Sequence, residues 1–230
     1  MPSARLDQHR SRLEAFTAEL VGPYLDRVGG SSQGGPAVRT KEFNDPVWGT
    51  LQVRAEEVFI LDSPLLQRLR RLKQLGVVHF VYPAATHTRL EHSLGTLHQI
   101  QQLITTLNEG GLIEPDEEVL PTAPSASKPI SDEMERVLRI AALCHDVGHG
   151  AMSHVSEYAL SGNREAEDLQ LDFYKEFKKE KQLSEIAAYY ILGSPAFVEL
   201  TNRAATMAGK ASVPNVGAIL QKLVIGLQDS

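Results

Sequence analysis

His145 and Asp146 close an apolar run, Ile140-Ala141-Ala142-Leu143-Cys144, and Gly148-His149-Gly150 follows directly. A neutral imidazole beside a carboxylate is a donor set for Fe, Mn, Zn or Ni rather than for Mg or Ca alone. Consecutive helix residues point about 100° apart, so these two cannot share a helix face. They can still grip one ion lying over the helix end, where partial negative charge favours a cation. A third ligand must come from another element, and His92, one turn into an earlier amphipathic segment, is the candidate. Helix-end histidines in routine hydrogen bonds are the ordinary alternative, and that suits one histidine alone. A buried helix rarely carries three unpaired polar groups, so the trio favours metal. The spacing from His145 to His149 also matches the H-x-x-x-H of zinc metalloproteases, with Asp146 where those carry glutamate. Aspartate is one methylene short for that base. Gly148 and Gly150 also end the helix that would put both histidines on one face.

The elements that must position these side chains are nearly all helical. Leu6, Leu13, Phe16, Leu20 and Tyr24 form one stripe over residues 5–27, and Gly29-Gly30-Ser31-Ser32-Gln33-Gly34-Gly35-Pro36 reads as a tether. The expected organisation is an N-terminal amphipathic helix (1–28) docked as an appendage, a flexible linker (29–41) and one domain over 42–230. Residues 42–55 read as a hairpin broken at Asp45-Pro46 and Gly49, with alternation through Thr50-Leu51-Gln52-Val53-Arg54. Ser63-Pro64 predicts the start of a helix that buries Leu65, Leu66, Leu69, Leu72 and Leu75 and stops at Gly76. A further helix from Thr88 to Leu107 turns Leu90, Leu94, Leu97, Ile100, Leu103, Ile104 and Leu107 inward. Residues 109–130, with Gly110, Gly111, Pro115, Pro121, Pro124 and Pro129, read as a variable surface loop. Ser131-Asp132-Glu133 caps the helix that ends at His145-Asp146, with Gly148 as its stop. The remainder is mostly helical, interrupted at Gly193-Ser194-Pro195 and Pro214. The fold class is all-α with a minor β-hairpin.

The chain has 230 residues, 42% of them hydrophobic and 23% charged, which is a globular composition. Twenty-three basic against 29 acidic residues leave a net charge of −6, so no global field holds a polyanion. Nucleic-acid binding would need a local basic patch. The one candidate, Arg68, Arg70, Arg71 and Lys73, reads as the solvated face of a helix, and nucleic acid is not favoured as a partner. No run approaches the roughly 18–20 apolar residues of a membrane span, and Met1 to Arg12 lacks the apolar core of a signal peptide. No membrane partner is expected. The single cysteine, Cys144, cannot form an internal disulfide and fits a small buried residue in a reducing cytoplasm.

Three segments carry a family resemblance: Gln67-Arg68-Leu69-Arg70-Arg71-Leu72-Lys73-Gln74-Leu75-Gly76; His87-Thr88-Arg89-Leu90-Glu91-His92-Ser93-Leu94-Gly95, after Tyr82-Pro83; and Leu143-Cys144-His145-Asp146-Val147-Gly148-His149-Gly150-Ala151-Met152-Ser153-His154. Together they resemble the HD-domain phosphohydrolases, and most of all the deoxynucleoside triphosphate triphosphohydrolase (dGTPase-like) branch. Asp45-Pro46-Val47-Trp48-Gly49 is similar to the short strand motif that opens that domain. The likeness covers residues 42–160 and fades beyond. It implies a helical HD bundle in which His92, His145 and Asp146 are three of four metal ligands. It implies further that Arg89 contacts substrate phosphates, that Gln74 and Leu75 test the sugar for a missing 2′-hydroxyl, and that His149 and His154 line the phosphate site near an acidic Glu157. The implied cofactor is a divalent transition metal (Fe, Mn, Zn or Ni), with Mg accompanying the nucleotide. The implied reaction is attack at the α-phosphate, releasing deoxynucleoside and intact triphosphate, with dGTP the default substrate and His149 the proton donor. A homo-oligomer is also implied.

Two departures from the family pattern matter. Ser184, in Leu183-Ser184-Glu185, stands where the family commonly has a histidine, so His149 would have to carry the proton alone. The fourth ligand is an aspartate in a downstream motif, and none of Asp168, Asp172 and Asp229 has that setting. The expectation is therefore a fragment of a longer protein. Two other readings of the same residues stay open: a phosphodiesterase or nucleotidase, and a non-catalytic nucleotide-binding module.

Overall fold

The computed structural model describes residues 4–29, 39–109, 129–151 and 154–226. Among the described residues there are ten α-helices and a single two-stranded sheet, so the all-α reading with a minor hairpin holds. The first helix, α1 (Ala4–Gly29), buries Leu6, Thr17, Val21 and Leu25, while Phe16 lies at the surface. The inward face is thus rotated from the stripe expected above. Thr17 lies within it because its hydroxyl donates to the Leu13 carbonyl at 2.7 Å, leaving a satisfied, apolar-sized side chain. Val21 and Leu25 belong to the main core with Leu65, Leu69, Leu143 and Leu192. The helix expected as an appendage is therefore a wall of the core, and most of the expected linker, residues 30–38, lies outside the described residues.

Strands β1 (Lys41–Asp45) and β2 (Gly49–Val53) pair antiparallel, with Phe43 opposite Leu51 and Asp45 opposite Gly49. Asp45 Oδ1 accepts from the Val47 and Trp48 amides at 2.8 and 3.0 Å, and Gly49 turns the chain at φ 74°. Helix α2 (Ala55–Leu61) escaped the sequence reading because its first turn is acidic yet buried. Glu56 and Glu57 are satisfied there by Arg136 and Arg139, some 80 residues away, and no local pattern reports that.

Pro64 does open a helix, but α3 (Pro64–Gln67) lasts one turn and tightens into a 3-10 turn over Arg68–Arg71. Leu65, Leu66 and Leu69 are buried as expected; Leu75 is 45% exposed, contrary to expectation. The chain extends at Leu72 because its carbonyl accepts from the Arg89 amide (2.8 Å) and the Gln74 amide donates to His87 (3.1 Å). Pairing with residues 87–89 replaces further helical bonds, and Gly76, at φ 58°, makes a turn rather than a helix stop.

Helices α4 (Arg89–Asn108) and α5 (Asp132–Cys144) pack side by side. Thr88 caps α4 by accepting from the Glu91 amide (3.3 Å) while the Glu91 carboxylate accepts from the Thr88 amide. Ser131 caps α5 through the Met134 amide. Leu90, Leu94, Leu97 and Ile104 face inward, whereas Leu103 and Leu107 are exposed. The loop expected over 109–130 lies outside the described residues from 110 to 128. After α5 come a 3-10 turn (His145–Gly148), α6 (His154–Leu160), α7 (Arg164–Phe177), α8 (Leu183–Gly193), α9 (Pro195–Met207) and α10 (Val216–Ile225). A second apolar cluster joins Leu6 of α1 to Leu169, Phe173, Ile186, Tyr190 and Ile225.

Candidate metal centre and adjoining cavity

Packing α4 against α5 brings His92 to His145, with 3.2 Å between their Nε2 atoms. His145 Nε2 stands 3.4 Å from Asp146 Oδ1, and His92 Nε2 stands 3.9 Å from Asp146 Oδ2. Two donors each about 2.1 Å from one ion, at tetrahedral or octahedral angles, stand about 3.0–3.4 Å apart. The trio is near that spacing, and its three ligand atoms lie within 4.8 Å of one another. Its tautomer is suited as well. His145 Nδ1 donates to the Ala142 carbonyl at 2.8 Å, which leaves the Nε2 lone pair aimed at His92 and Asp146. Burial holds the His92 imidazole below its ordinary pKa, with His145 and Arg89 adding to the effect against the opposing Asp146 charge. A neutral imidazole is the form that ligates. The residues present fit a divalent transition metal.

Asp146 is the hub of this group. Arg89, only 1% exposed, donates from Nη1 to Asp146 Oδ2 at 2.6 Å. Oδ1 faces His145 and, at 3.5 Å, His149 Nε2. The turn carrying these residues is not α-helical. It is a 3-10 turn through Gly148, after which His149 is extended (φ −68°, ψ 137°), so His145 and His149 do not share a helix face and the metalloprotease geometry is absent. Gly148 has an ordinary φ, and space is what requires glycine there. A Cβ at this position would lie 2.0 Å from the Ser184 carbonyl and 2.4 Å from the Ala188 amide nitrogen, both on α8.

That close approach sets His149 into the wall of a cavity of about 710 Å³, within the range of small-molecule sites. Glu157 of α6 and Ser184 of α8 share the wall, and His9 and Arg12 of α1 line it as well. Glu157 Oε1 accepts from the Ser184 amide at 3.1 Å and from its hydroxyl. Ser184 thus faces Glu157, the expected acidic residue. His9 has its pKa lowered by burial and by the Arg12 charge. No local signal in the sequence pointed to α1 as a cavity wall.

The remaining expected site residues are placed as follows. Gln74 is half-buried on the strand-like segment beside His87, and Leu75 next to it is exposed. His154 opens α6, and its side chain lies outside the described residues. Asp168 and Asp172 are taken by Arg5 at 3.2 and 3.0 Å on α7 and do not join the trio; Asp229 lies outside the described residues. Cys144 is fully buried and its thiol is pushed well up by burial, an inert packing residue as expected. Arg70 and Arg71 are exposed as expected, but Arg68 is turned inward beneath the metal-centre turn. The sequence placed Arg68 in a solvated run and missed it.

Residues 89–205 match the HD domain, a region that runs from Arg89 into α9 and takes in His92, His145 and Asp146. The chain belongs to the HD-domain family. HD-domain relatives include deoxynucleoside triphosphate triphosphohydrolase SAMHD1 of Homo sapiens, 38% identical over 146 residues, and that of Xenopus laevis, 34% identical over 151 residues. The matches cover 64% and 65% of this chain and 19% and 21% of those proteins. An HD domain-containing protein of Acanthamoeba polyphaga mimivirus is 37% identical over 122 residues, covering 53% of this chain and 26% of the viral protein. The chain thus spans about a fifth to a quarter of the length of these relatives.

Proposed function

We propose that this chain carries the catalytic centre of a metal-dependent phosphohydrolase that cleaves deoxynucleoside triphosphates, dGTP first among them, to deoxynucleoside and triphosphate. The observation that carries the reading is the convergence of His92, His145 and Asp146, with Arg89 and His149 on the same carboxylate. A divalent metal held there supplies Lewis-acid polarisation of a phosphoryl oxygen and lowers the pKa of a water. The protein's own residues do the rest. Arg89 fixes Asp146 and keeps a buried positive charge where phosphates would lie. His149, which lies 3.5 Å from Asp146 and lines the cavity, would give a proton to the leaving 5′-oxygen, with Glu157 as its acidic partner. Gln74 and Leu75 would face the sugar, and His154 the phosphates. The names of the relatives support the substrate class.

Phe80, Val81 and Tyr82, at 79%, 75% and 67% exposure, are three consecutive exposed apolar side chains, which supports a homo-oligomer. No helix among the described residues is long and apolar enough to cross a membrane. The lone buried cysteine supports a cytoplasmic setting.

Product analysis tests the reading. The protein, incubated with each dNTP and Mn²⁺, should release deoxynucleoside and inorganic triphosphate, resolved by anion exchange. Monophosphate as product would replace this reading with a phosphodiesterase or nucleotidase. Ser184 favours one further reading, a nucleotide-binding module without turnover. Thermal stabilisation by dNTP with no product formed would select it.

A further inference from the structure

The basic run at residues 68–73 holds one arginine that behaves unlike its neighbours. Arg70 and Arg71 are exposed, whereas Arg68 is largely buried, its guanidinium 5.7 Å from the centre of the Phe16 ring on α1. Arg68 Nη1 donates to the His149 carbonyl at 2.7 Å and Nη2 donates to the Val147 carbonyl. Both acceptors belong to the end of the 3-10 turn, where carbonyls lose their intrahelical partners. Among the described residues no carboxylate pairs with this guanidinium, and its buried Nε has no hydrogen-bond partner. A largely buried cation held by carbonyl dipoles and a ring face, rather than by a carboxylate, is costly and calls for a reason beyond packing.

We infer that Arg68 is a positioning residue for the metal centre, clamping the turn so that Asp146 and His149 present their side chains to the ion and to the cavity. The two carbonyls it holds flank Gly148, at which the chain changes from 3-10 to extended. Direction at that joint decides where the His149 ring points. Gly148 cannot shift towards α8, because the α8 backbone is already in contact. Arg68 grips from α3's side and the α8 backbone blocks the other, so the turn is fixed between them. A guanidinium does this with two donors in one plane; an ammonium at the same place reaches one carbonyl at a time. The same guanidinium, stacked on Phe16, links α1 to the centre.

The inference rests on the metal reading, and its test is arranged to fail separately. Co²⁺ is titrated into wild type, Arg68→Ala and Arg68→Lys, following the visible d–d spectrum. Loss of a group that orients a metal ligand lowers metal affinity about 10–100-fold. Arg68→Ala is expected to weaken Co²⁺ by that order and to alter the spectrum, Arg68→Lys to recover part, and added methylguanidinium to restore the Arg68→Ala spectrum. Hydrogen exchange of residues 147–150 in the metal-free proteins gives the second arm, expected to rise at least 10-fold in Arg68→Ala while α5 is unchanged. A lowered melting temperature with Co²⁺ affinity, spectrum and exchange at 147–150 all as in wild type would overturn the inference. If wild type takes up no Co²⁺, the metal reading falls and the exchange arm alone decides the clamp.

Discussion

Among the described residues two arginine–carboxylate pairs have both partners buried, and they are built for opposite ends. Glu57 and Arg139, on α2 and α5, form a fork with bonds of 2.5 and 2.8 Å. The Arg54 amide donates to the same carboxylate at 2.8 Å, and Arg139 also reaches Gln101 at 2.5 Å. Every strong valence there ends on protein. Asp146 and Arg89 share one bond, on Oδ2, and the other oxygen faces imidazoles rather than a matched donor set. A saturated carboxylate holds helices together, whereas one saturated on a single side keeps charge in hand for a cation.

Breaking the saturated pair should do the most damage. Removing one partner of a buried pair costs about 3–5 kcal/mol, so Glu57→Gln or Arg139→Met should lower the urea midpoint sharply or abolish folding. A smaller effect would show that the fork is dispensable. Gly148→Ala comes next, since overpacking a tight contact costs about 1–3 kcal/mol. Calorimetry should show that loss together with weaker metal uptake, because α8 and the turn must separate. On the open side, His145→Ala should keep the fold, given its half-buried ring, yet lose metal. The readout is Mn²⁺ stabilisation: about 2.7 kcal/mol at a hundred times Kd for wild type and none for the variant. A variant still stabilised by Mn²⁺ would remove the centre from these residues. Ser184→Ala should have the smallest effect, about 1 kcal/mol for one hydroxyl hydrogen bond, because the Ser184 amide still holds Glu157. Ser184→His sharpens the same point; a rise in dNTP turnover would show that serine is what limits the chemistry.

Legibility in the sequence followed the range of the interaction. The helix start at Thr88, the cap at Ser131, the hairpin broken at Gly49 and the end of the α5 helix near His145-Asp146 are read from neighbours three or four residues apart, where local geometry and residue type suffice. His92, His145 and Asp146 were legible for another reason: their donor chemistry has few uses in a buried helix end, and the helices carrying two of them had to pack. The errors lie where a side chain is satisfied from far away. Arg68 read as a solvated base and α2, with Glu56 and Glu57, went unread, yet all three side chains are turned inward by partners the local pattern does not contain.

By itself, then, the sequence determined a helical bundle with a minor hairpin and singled out three candidate ligand residues, since amphipathic periodicity and donor type are local properties. Only the tertiary structure decided that α1 is a core wall bordering the cavity and that Gly148 is glycine for the sake of the α8 backbone. It also decided that one arginine of the three at residues 68, 70 and 71 holds the turn at the centre. Those facts depend on contacts between residues 36 to 81 positions apart or more, and at that distance a side chain's surroundings are set by how helices pack, not by the residues beside it.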